Sequence, residues 1–236
     1  LNIRSCVVFV SLWYLIFSIP LFFYHSDISE KKAAPAVSNL KQLKETFDYV
    51  LKIPSLFRLL IASALYRDGL ATLFAVGGAF AATTFDMSYS EVLIFAIGLN
   101  VSAGIGALFL ARLEDKIGSK TMIIISLAGL ILTGIVILFL ENKWMFILTA
   151  LVLGLFIGPA QAASRTFVAR LSPEDKRAQI FGFYALSGKA VAFVGPLSYG
   201  GLTILFESSR IGLVSILTFW LAGLIIMFFV KDSGKT

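Results

Sequence analysis

Residues 121–140 read TMIIISLAGLILTGIVILFL, a run of twenty residues without a charged side chain. A helix of about 20 apolar residues is long enough to cross the roughly 30 Å of hydrocarbon in a bilayer. The run is continuous rather than alternating, which predicts an α-helix and not a strand of a membrane barrel. The stretch therefore predicts a helix that spans a membrane.

Similar apolar runs recur along the chain between short charged connections. They form about seven segments, at residues 5–24, 57–85, 92–110, 121–140, 144–163, 179–206 and 211–230. Of the 236 residues, 58% are hydrophobic and 14% are charged, whereas about a quarter of a soluble domain is charged. We therefore predict an all-α fold, a polytopic helical membrane protein with about seven transmembrane helices, integral and multi-pass in the cell inner membrane.

The chain has one cysteine, Cys6, and one histidine, His25. This excludes a disulfide scaffold, and it leaves zinc, iron–sulfur or haem chemistry almost without ligands. No nucleophile is paired recognisably with a base, and no glycine-rich phosphate loop follows a predicted strand. We therefore expect no catalytic residue, no metal and no cofactor, and we do not expect an enzyme.

Basic residues are concentrated in alternate connections. One side of the predicted membrane segments has only Arg4, Lys143 and Arg210. The other side has fourteen basic residues: Lys31, Lys32, Lys41, Lys44, Lys52, Arg112, Lys116, Lys120, Arg165, Arg170, Lys176, Arg177, Lys231 and Lys235. By the positive-inside rule the long first connection and the C-terminus are cytoplasmic. The net charge of +6 is spread over short loops without interleaved aromatic residues, so we expect no nucleic-acid partner.

Residues 27–54 are the one stretch with soluble character. Between residues 37 and 51, apolar residues recur at helical spacing with charged residues between them, which predicts an amphipathic helix at the cytoplasmic surface. Pro54 ends this helix. We interpret the segment as a linker helix that rests on the headgroups, with a regulatory or partner-binding helix as the alternative.

Three ionisable residues fall deep within the predicted spans: Arg67, Asp68 and Lys189. An ion at the bilayer centre costs about 2.5 to 3.5 kcal/mol, so these side chains should face protein or water. Neighbours in a helix point about 100° apart, so Arg67 and Asp68 cannot pair with each other. A pair between Asp68 and Lys189 is possible at similar depth, with Arg67 facing a cavity. A buried pair that fixes helix packing, a role in binding or ion coupling, and snorkelling all remain open.

Other polar residues lie in or near the spans. Asn100 and Tyr184 are two of them, and the spacing of Gln161, Ser164 and Arg165 places these three on one helix face. Hydrogen bonding between helices is the alternative interpretation for each. The Gly-Pro dipeptides at residues 158–159 and 195–196 predict kinks.

The connection at residues 111–120, ARLEDKIGSK, is short and charged. An acid at a helix end, bases behind it and a glycine for the turn form a hinge that ion pairs can latch. The loop resembles the signature loop of the major facilitator superfamily, whose acidic, basic, glycine and basic positions are matched by Asp115, Lys116, Gly118 and Lys120. Ala111 and Ser119 depart from it, where that signature has a glycine and a basic residue.

Further stretches are similar to the vacuole-effluxer-like branch of that superfamily, whose fungal relatives export amino acids from the vacuole. These stretches are LYRDG at residues 65–69, QAASR at 161–165, FGFYALSGK at 181–189 and GPL at 195–197. The resemblance aligns the chain with the sixth to twelfth helices of a twelve-helix transporter. It implies a transmembrane helix of the N-terminal half at 1–26, the central cytoplasmic loop at 27–54, and a C-terminal six-helix bundle at 55–236.

The resemblance implies a secondary transporter that moves a small polar solute, for example an amino acid, by alternating access. Its partners would be the solute, protons or another ion, the lipid bilayer and the missing N-terminal half. We expect substrate binding or coupling at Arg67, Asp68, Asn100, Gln161, Tyr184 and Lys189, and gating at Asp115, Lys116, Gly118, Lys120 and Arg165. Asp68 is the expected proton or cation site because it is the one carboxylate well inside a predicted span. A non-transporting membrane remnant, acting as a regulatory or scaffold subunit, is the alternative.

Overall fold

The computed structural model describes residues 3–24 and 36–231. Its helices are α1 (Ile3–Tyr24), α2 (Ala36–Lys52), α3 (Pro54–Phe85), α4 (Tyr89–Ile117), α5 (Ser119–Phe139), α6 (Lys143–Leu171), α7 (Arg177–Val191), α8 (Val194–Phe206) and α9 (Ser209–Phe228), with a 3-10 turn at Glu174–Lys176 before α7. No strand occurs in the described ranges. The all-α prediction is confirmed.

Six segments are long and apolar enough to cross a membrane: Pro54–Phe85, Tyr89–Ile117, Ser119–Phe139, Lys143–Leu171, Glu174–Phe206 and Ser209–Phe228. They correspond to six of the about seven predicted spans, and the fifth of them contains both α7 and α8. The remaining predicted span is also an apolar helix, α1, although its described apolar stretch, Ser5–Pro20, is shorter than the other six. The protein is therefore a multi-pass helical membrane protein.

Two compact units divide the chain, and the boundary falls inside α2, after Gln42. The first unit contains α1, in which Trp13 contacts the rings of Phe9 and Phe17. The hydroxyls of Ser11 and Ser18 donate to carbonyls one turn earlier in the same helix. A helix that satisfies its polar groups internally in this way is compatible with an apolar surrounding.

Local signals in the sequence explain where the long helices begin and end. Ser88 and Glu91 form a reciprocal capping box at the start of α4, and Asn142 caps the start of α6. Gly118 alone connects α4 to α5, with a φ of 84° that a side chain would strain. The observed connections are therefore shorter than the sequence predicted, because the charged residues of each predicted loop continue the helices.

Contacts at the helix ends establish the up-and-down order of the second unit. At one end, the Arg58 guanidinium donates to the Phe229 carbonyl at 3.0 Å, and Lys120 donates to the Phe228 carbonyl at 3.3 Å. These bonds bring the starts of α3 and α5 to the end of α9. We call this end the basic rim, because it contains Lys52, Arg58, Arg112, Lys116, Lys120, Arg170, Lys176, Arg177 and Lys231.

The opposite end joins the other helix termini. An ion pair between Lys143 and Glu91 connects the starts of α6 and α4. Arg210, at the start of α9, donates to the Leu138 carbonyl near the end of α5 at 2.7 Å. Acidic residues outnumber basic ones among the described residues of this end, which agrees with the charge asymmetry in the sequence.

Glycines allow close backbone contact between α4 and α6. A Cβ added at Gly106 would lie 1.9 Å from the Leu155 carbonyl oxygen, and one added at Gly158 would lie 2.1 Å from the Ala103 carbonyl oxygen. The Ser102 hydroxyl of α4 also donates to a backbone carbonyl of α6. Because lipid supplies no hydrophobic drive between helices, such close backbone approach is a main source of their association.

The two predicted kinks have different outcomes. α6 continues from Lys143 to Leu171 through Pro159 as one helix. The other span is broken, since α7 ends at Val191 and α8 begins at Val194, so that Pro196 stands in the first turn of α8. Proline has no N–H and clashes with the carbonyl four residues before it, which is Ala192 here. The break therefore lies where Pro196 prevents the helix from continuing.

Gly104 and Gly106, which both belong to α4, provide a matched test of the α4–α6 contact. Replacing Gly106 by alanine should lower the free energy of unfolding by about 1–3 kcal/mol, because the new methyl group collides with backbone that cannot move alone. Replacing Gly104 by alanine should have no such cost, since nothing lies within 4 Å of its added Cβ. Thermal unfolding of both variants in detergent measures the difference. Equal melting temperatures would contradict the assigned contact.

Candidate functional site

Asp68 is a buried carboxylate of α3 that faces the break between α7 and α8. Its side chain is 1% exposed, and Oδ2 accepts a hydrogen bond of 2.8 Å from the Gly195 amide. That amide belongs to the first turn of α8, where N–H groups have no acceptor within the helix and favour a negative charge. The other carboxylate oxygen, Oδ1, is buried without a hydrogen-bond partner among the described residues.

The pair between Asp68 and Lys189, which the sequence left possible, is not formed in the described structure. Lys189 is exposed, and in the described part of the chain Asp68 forms no ion pair. The physical reason is the break, which turns an N–H of α8 towards the carboxylate, so that the backbone of Gly195 takes the place expected for the Lys189 side chain.

Arg67, the neighbour of Asp68, packs against one face of α7. Its Nη1 donates to the Tyr184 carbonyl at 3.0 Å, and its guanidinium carbon lies 4.3 Å from the centre of the Tyr184 ring. A Cβ added at Gly188 would lie 3.0 Å from the same guanidinium carbon. Arg67 therefore rests on the surface formed by Tyr184 and Gly188, which are one turn apart. As predicted, Arg67 and Asp68 point to different surroundings.

A buried polar contact connects α3 to α6 beside this cluster. The Tyr66 and Ser164 hydroxyls are hydrogen bonded, and Ser164 in turn donates to the Ala160 carbonyl. Tyr66 and Ser164 are both fully buried, and Tyr184 experiences the positive charges of Arg67 and Arg165. α3, α6 and α7 thus meet in one polar region.

Sequence reasoning missed Tyr66 as a member of this region, and it named Ser164 only as a polar residue of its span. Gly188 was also missed, because a glycine in a helix does not show what packs against it. A tyrosine directly before two ionisable residues inside a span was the available signal for Tyr66, since its hydroxyl also needs a partner there.

The other predicted binding residues lie apart from Arg67 or at its margin. Gln161 is half-buried on α6, one turn before Ser164. Asn100 is exposed, and its amide donates to the Ala96 carbonyl of its own helix at 2.9 Å. Asn100 lines an apolar cleft of about 90 Å³ between α3, α4, α5, α6 and α9. The structure therefore brings together Arg67, Asp68 and Tyr184, but not Asn100 or Lys189.

The predicted gating loop is held by hydrogen bonds. Glu114, which the sequence reasoning passed over, is 6% exposed and accepts a 2.7 Å hydrogen bond from the Ser119 hydroxyl. Asp115 and Lys116 are exposed, and Lys120 reaches the end of α9. Within the described ranges, no ion pair joins residues of this loop. The expected ion-pair latch is therefore not formed in this conformation. Ser119, which stands where the signature loop has a basic residue, donates the hydrogen bond to Glu114.

The described part of α2 packs against the start of α7. The Thr46 hydroxyl donates to the Gln179 side-chain carbonyl, and the Lys176 ammonium lies 4.3 Å from the centre of the Tyr49 ring. Val50 is 2% exposed. The amphipathic helix thus has protein, and not only headgroups, against its apolar side from Lys44 onwards.

Comparison with known proteins identifies the family of this chain. The family model described as "Vacuole effluxer Atg22 like" matches residues 1–235. The "Uncharacterized MFS-type transporter YxiO" of Bacillus subtilis is 26% identical over 226 residues, which are 95% of this chain and 53% of that protein. "Autophagy-related protein 22" of Kluyveromyces lactis is 24% identical over 225 residues, or 86% of this chain and 46% of that protein.

A more distant relative covers less of the chain. The "D-xylose transporter" of Levilactobacillus brevis is 25% identical over 104 residues, which are 43% of this chain and 23% of that protein. The chain spans about half the length of the first two relatives. Because the family model covers nearly every residue, the chain belongs to the vacuole effluxer Atg22-like family of major-facilitator-type membrane proteins.

Proposed function

We propose that the chain forms the C-terminal half of a secondary transporter, which moves a small polar solute across the cell inner membrane by alternating access. The names of its relatives, an MFS-type transporter, a vacuole effluxer and a D-xylose transporter, support transport of a small solute. An N-terminal half would supply the other wall of the cavity, and the basic rim would face the cytoplasm.

The observation that carries the proposal is the unneutralised guanidinium of Arg67 in the middle of α3. No ion pair to Arg67 is present in residues 3–24 and 36–231, and its partners there, the Tyr184 ring and carbonyl, are neutral. The nearest candidate acid, Asp68, is already bound to the Gly195 amide. Arg165 adds a second positive charge near Tyr184. A solute with a carboxylate, such as an amino acid, would provide the missing negative charge.

Asp68 is the proposed coupling residue. It keeps one buried oxygen, Oδ1, without a partner in the described structure, while Oδ2 holds α8. A proton or another cation bound at Oδ1 would neutralise the carboxylate without needing a new protein ligand. Lys189, Gln161 and Asn100 would contact the solute only in another conformation of the transport cycle.

Gating is assigned to the loop between α4 and α5 and to Arg165. Asp115 and Lys116 are exposed at the basic rim and free to form new contacts when the bundle tilts. Gly118 has the left-handed φ that allows the sharp reversal, and Lys120 ties α5 to α9. Rearranging these few contacts would open or close the cytoplasmic end.

Replacing Arg67 by glutamine tests the solute site. The variant keeps a donor for the Tyr184 carbonyl but loses the charge, and a charge-assisted hydrogen bond is worth about 1.5–3 kcal/mol. The KM for carboxylate-bearing solutes should therefore rise roughly 10- to 100-fold. Uptake of labelled amino acids, tested one at a time in proteoliposomes of the full-length protein, measures this. Arg170→Gln, the same change at an exposed rim position, is the control, and an unchanged KM for Arg67→Gln would remove Arg67 from the site.

Replacing Asp68 by asparagine tests coupling. The asparagine oxygen can still accept the Gly195 N–H, so insertion and melting temperature should be preserved. The side chain can no longer change charge, so accumulation driven by an imposed pH gradient should be abolished. The measurement is uptake with and without a protonophore. Unchanged accumulation would exclude Asp68 from the mechanism.

Two further outcomes of the same assay separate the wider alternatives. Uptake by the unmodified protein that does not respond to the protonophore would indicate facilitated diffusion rather than proton coupling. Stable insertion with no flux for any solute would favour a non-transporting subunit.

A further inference from the structure

The fifth membrane-length segment of the second unit is two helices, not one, and each half has its own attachment to α3. α7 ends at Val191 and α8 begins at Val194. Arg67 contacts only the α7 half, through Tyr184 and Gly188, and Asp68 contacts the α8 half, through Gly195. Two consecutive residues of α3 therefore reach opposite sides of the break.

The sign of each charge matches the helix end beside it. The guanidinium lies next to Gly188, in the last turn of α7, where unpaired carbonyls favour a positive charge. The carboxylate accepts a hydrogen bond from an amide N–H in the first turn of α8, where unpaired N–H groups favour a negative charge. Exchanging the two charges would place each beside the end that repels it.

The glycines of this segment mark the two attachments. A Cβ at Gly188 would lie 3.0–3.1 Å from the guanidinium atoms of Arg67. A Cβ at Gly195 would lie 2.0 Å from the Thr72 hydroxyl and 3.1 Å from both Asp68 carboxylate oxygens. In contrast, nothing lies within 4 Å of a Cβ added at Gly182 or Gly200. A side chain at Gly195 would collide with Thr72, and a side chain at Gly188 would force the Arg67 guanidinium to shift by a few tenths of an ångström.

We propose that Arg67 and Asp68 are positioning residues that hold the two halves of the broken segment independently. Gly188, which has no side chain, leaves the space in which the Arg67 guanidinium packs against α7. α7 carries Tyr184 and Lys189, so the Arg67 attachment sets where these side chains lie. The following consequence rests on the proposed function. A solute carboxylate would compete with the Tyr184 carbonyl for the guanidinium, and its binding would free α7 while Asp68 continues to hold α8.

Hydrogen–deuterium exchange of the full-length protein in lipid nanodiscs tests the proposal without any solute. Gly188→Ala should displace the guanidinium and raise amide exchange in peptides covering 177–191 by about tenfold or more, with peptides covering 194–206 unchanged. Gly182→Ala, on the same helix, is the matched control: it brings the same gain in helix propensity without the contact, so its exchange should be unchanged or lower. Equal exchange in the Gly188 and Gly182 variants would overturn the Arg67 attachment.

The α8 half is tested with two substitutions of Asp68. Asp68→Leu removes the acceptor and should raise exchange in 194–206 only, whereas Asp68→Asn keeps an acceptor and should retain protection. If Asp68→Leu does not insert, Asp68→Asn still decides, because increased exchange in that variant would show that charge and not the hydrogen bond holds α8. If any single variant raised amide exchange in both 177–191 and 194–206, the two helices would respond as one unit, and the proposal would be overturned.

A kinetic readout distinguishes positioning from general destabilisation. Gly188→Ala should raise the KM for carboxylate solutes with kcat unchanged, and Gly182→Ala should alter neither. A fall in kcat with unchanged KM would contradict a positioning role for Gly188. Because the exchange measurement uses no solute, failure of the attachments is distinguishable from failure of the proposed transport.

Discussion

The hydrogen bond between the Gly195 amide and the Asp68 carboxylate is the contact on which the arrangement of this bundle depends. A helix broken inside a membrane exposes amides that neither lipid nor the helix itself can satisfy, and each unsatisfied group costs several kcal/mol. A buried carboxylate has the opposite problem, since it needs donors. Placing the two together satisfies the Gly195 amide and one of the two carboxylate oxygens, which helps to explain how Pro196 can interrupt an apolar segment without unfolding it.

That contact also determines the charge of the neighbouring region. Adjacent helical residues point apart, so Asp68 does not neutralise Arg67, and in the described structure the guanidinium rests on the neutral Tyr184 instead. Cation–π contact and a carbonyl acceptor stabilise the guanidinium less than a carboxylate would. The region therefore favours an anionic group, and the proposed solute binding rests on this preference.

Glycines have two different purposes in the bundle. In α4 and α6, Gly106 and Gly158 bring backbones together and fix two helices as one rigid pair. In α7 and α8, Gly188 and Gly195 instead make room for charged side chains from α3. The α4–α6 contact consists of van der Waals packing along the two helices. The contacts of α3 with α7 and α8 depend instead on two polar attachments, at Arg67 and Asp68, that another charged group can replace. A closely packed helix pair beside polar attachments is a division that the proposed alternating access could use.

The sequence by itself determined the helical class, the membrane-length segments, the charge asymmetry and the family likeness, because these follow from the length and order of apolar runs and from short motifs. It also determined that Arg67 and Asp68 must face different surroundings, since adjacent helical residues always do. Only the tertiary structure decided their partners. The Gly195 amide and the space at Gly188 have no side-chain signature, because backbone groups become available only where another helix ends or comes close. Glu114 and Ser119 are visible in the sequence, but their hydrogen bond depends on the turn at Gly118 that joins the two helix ends.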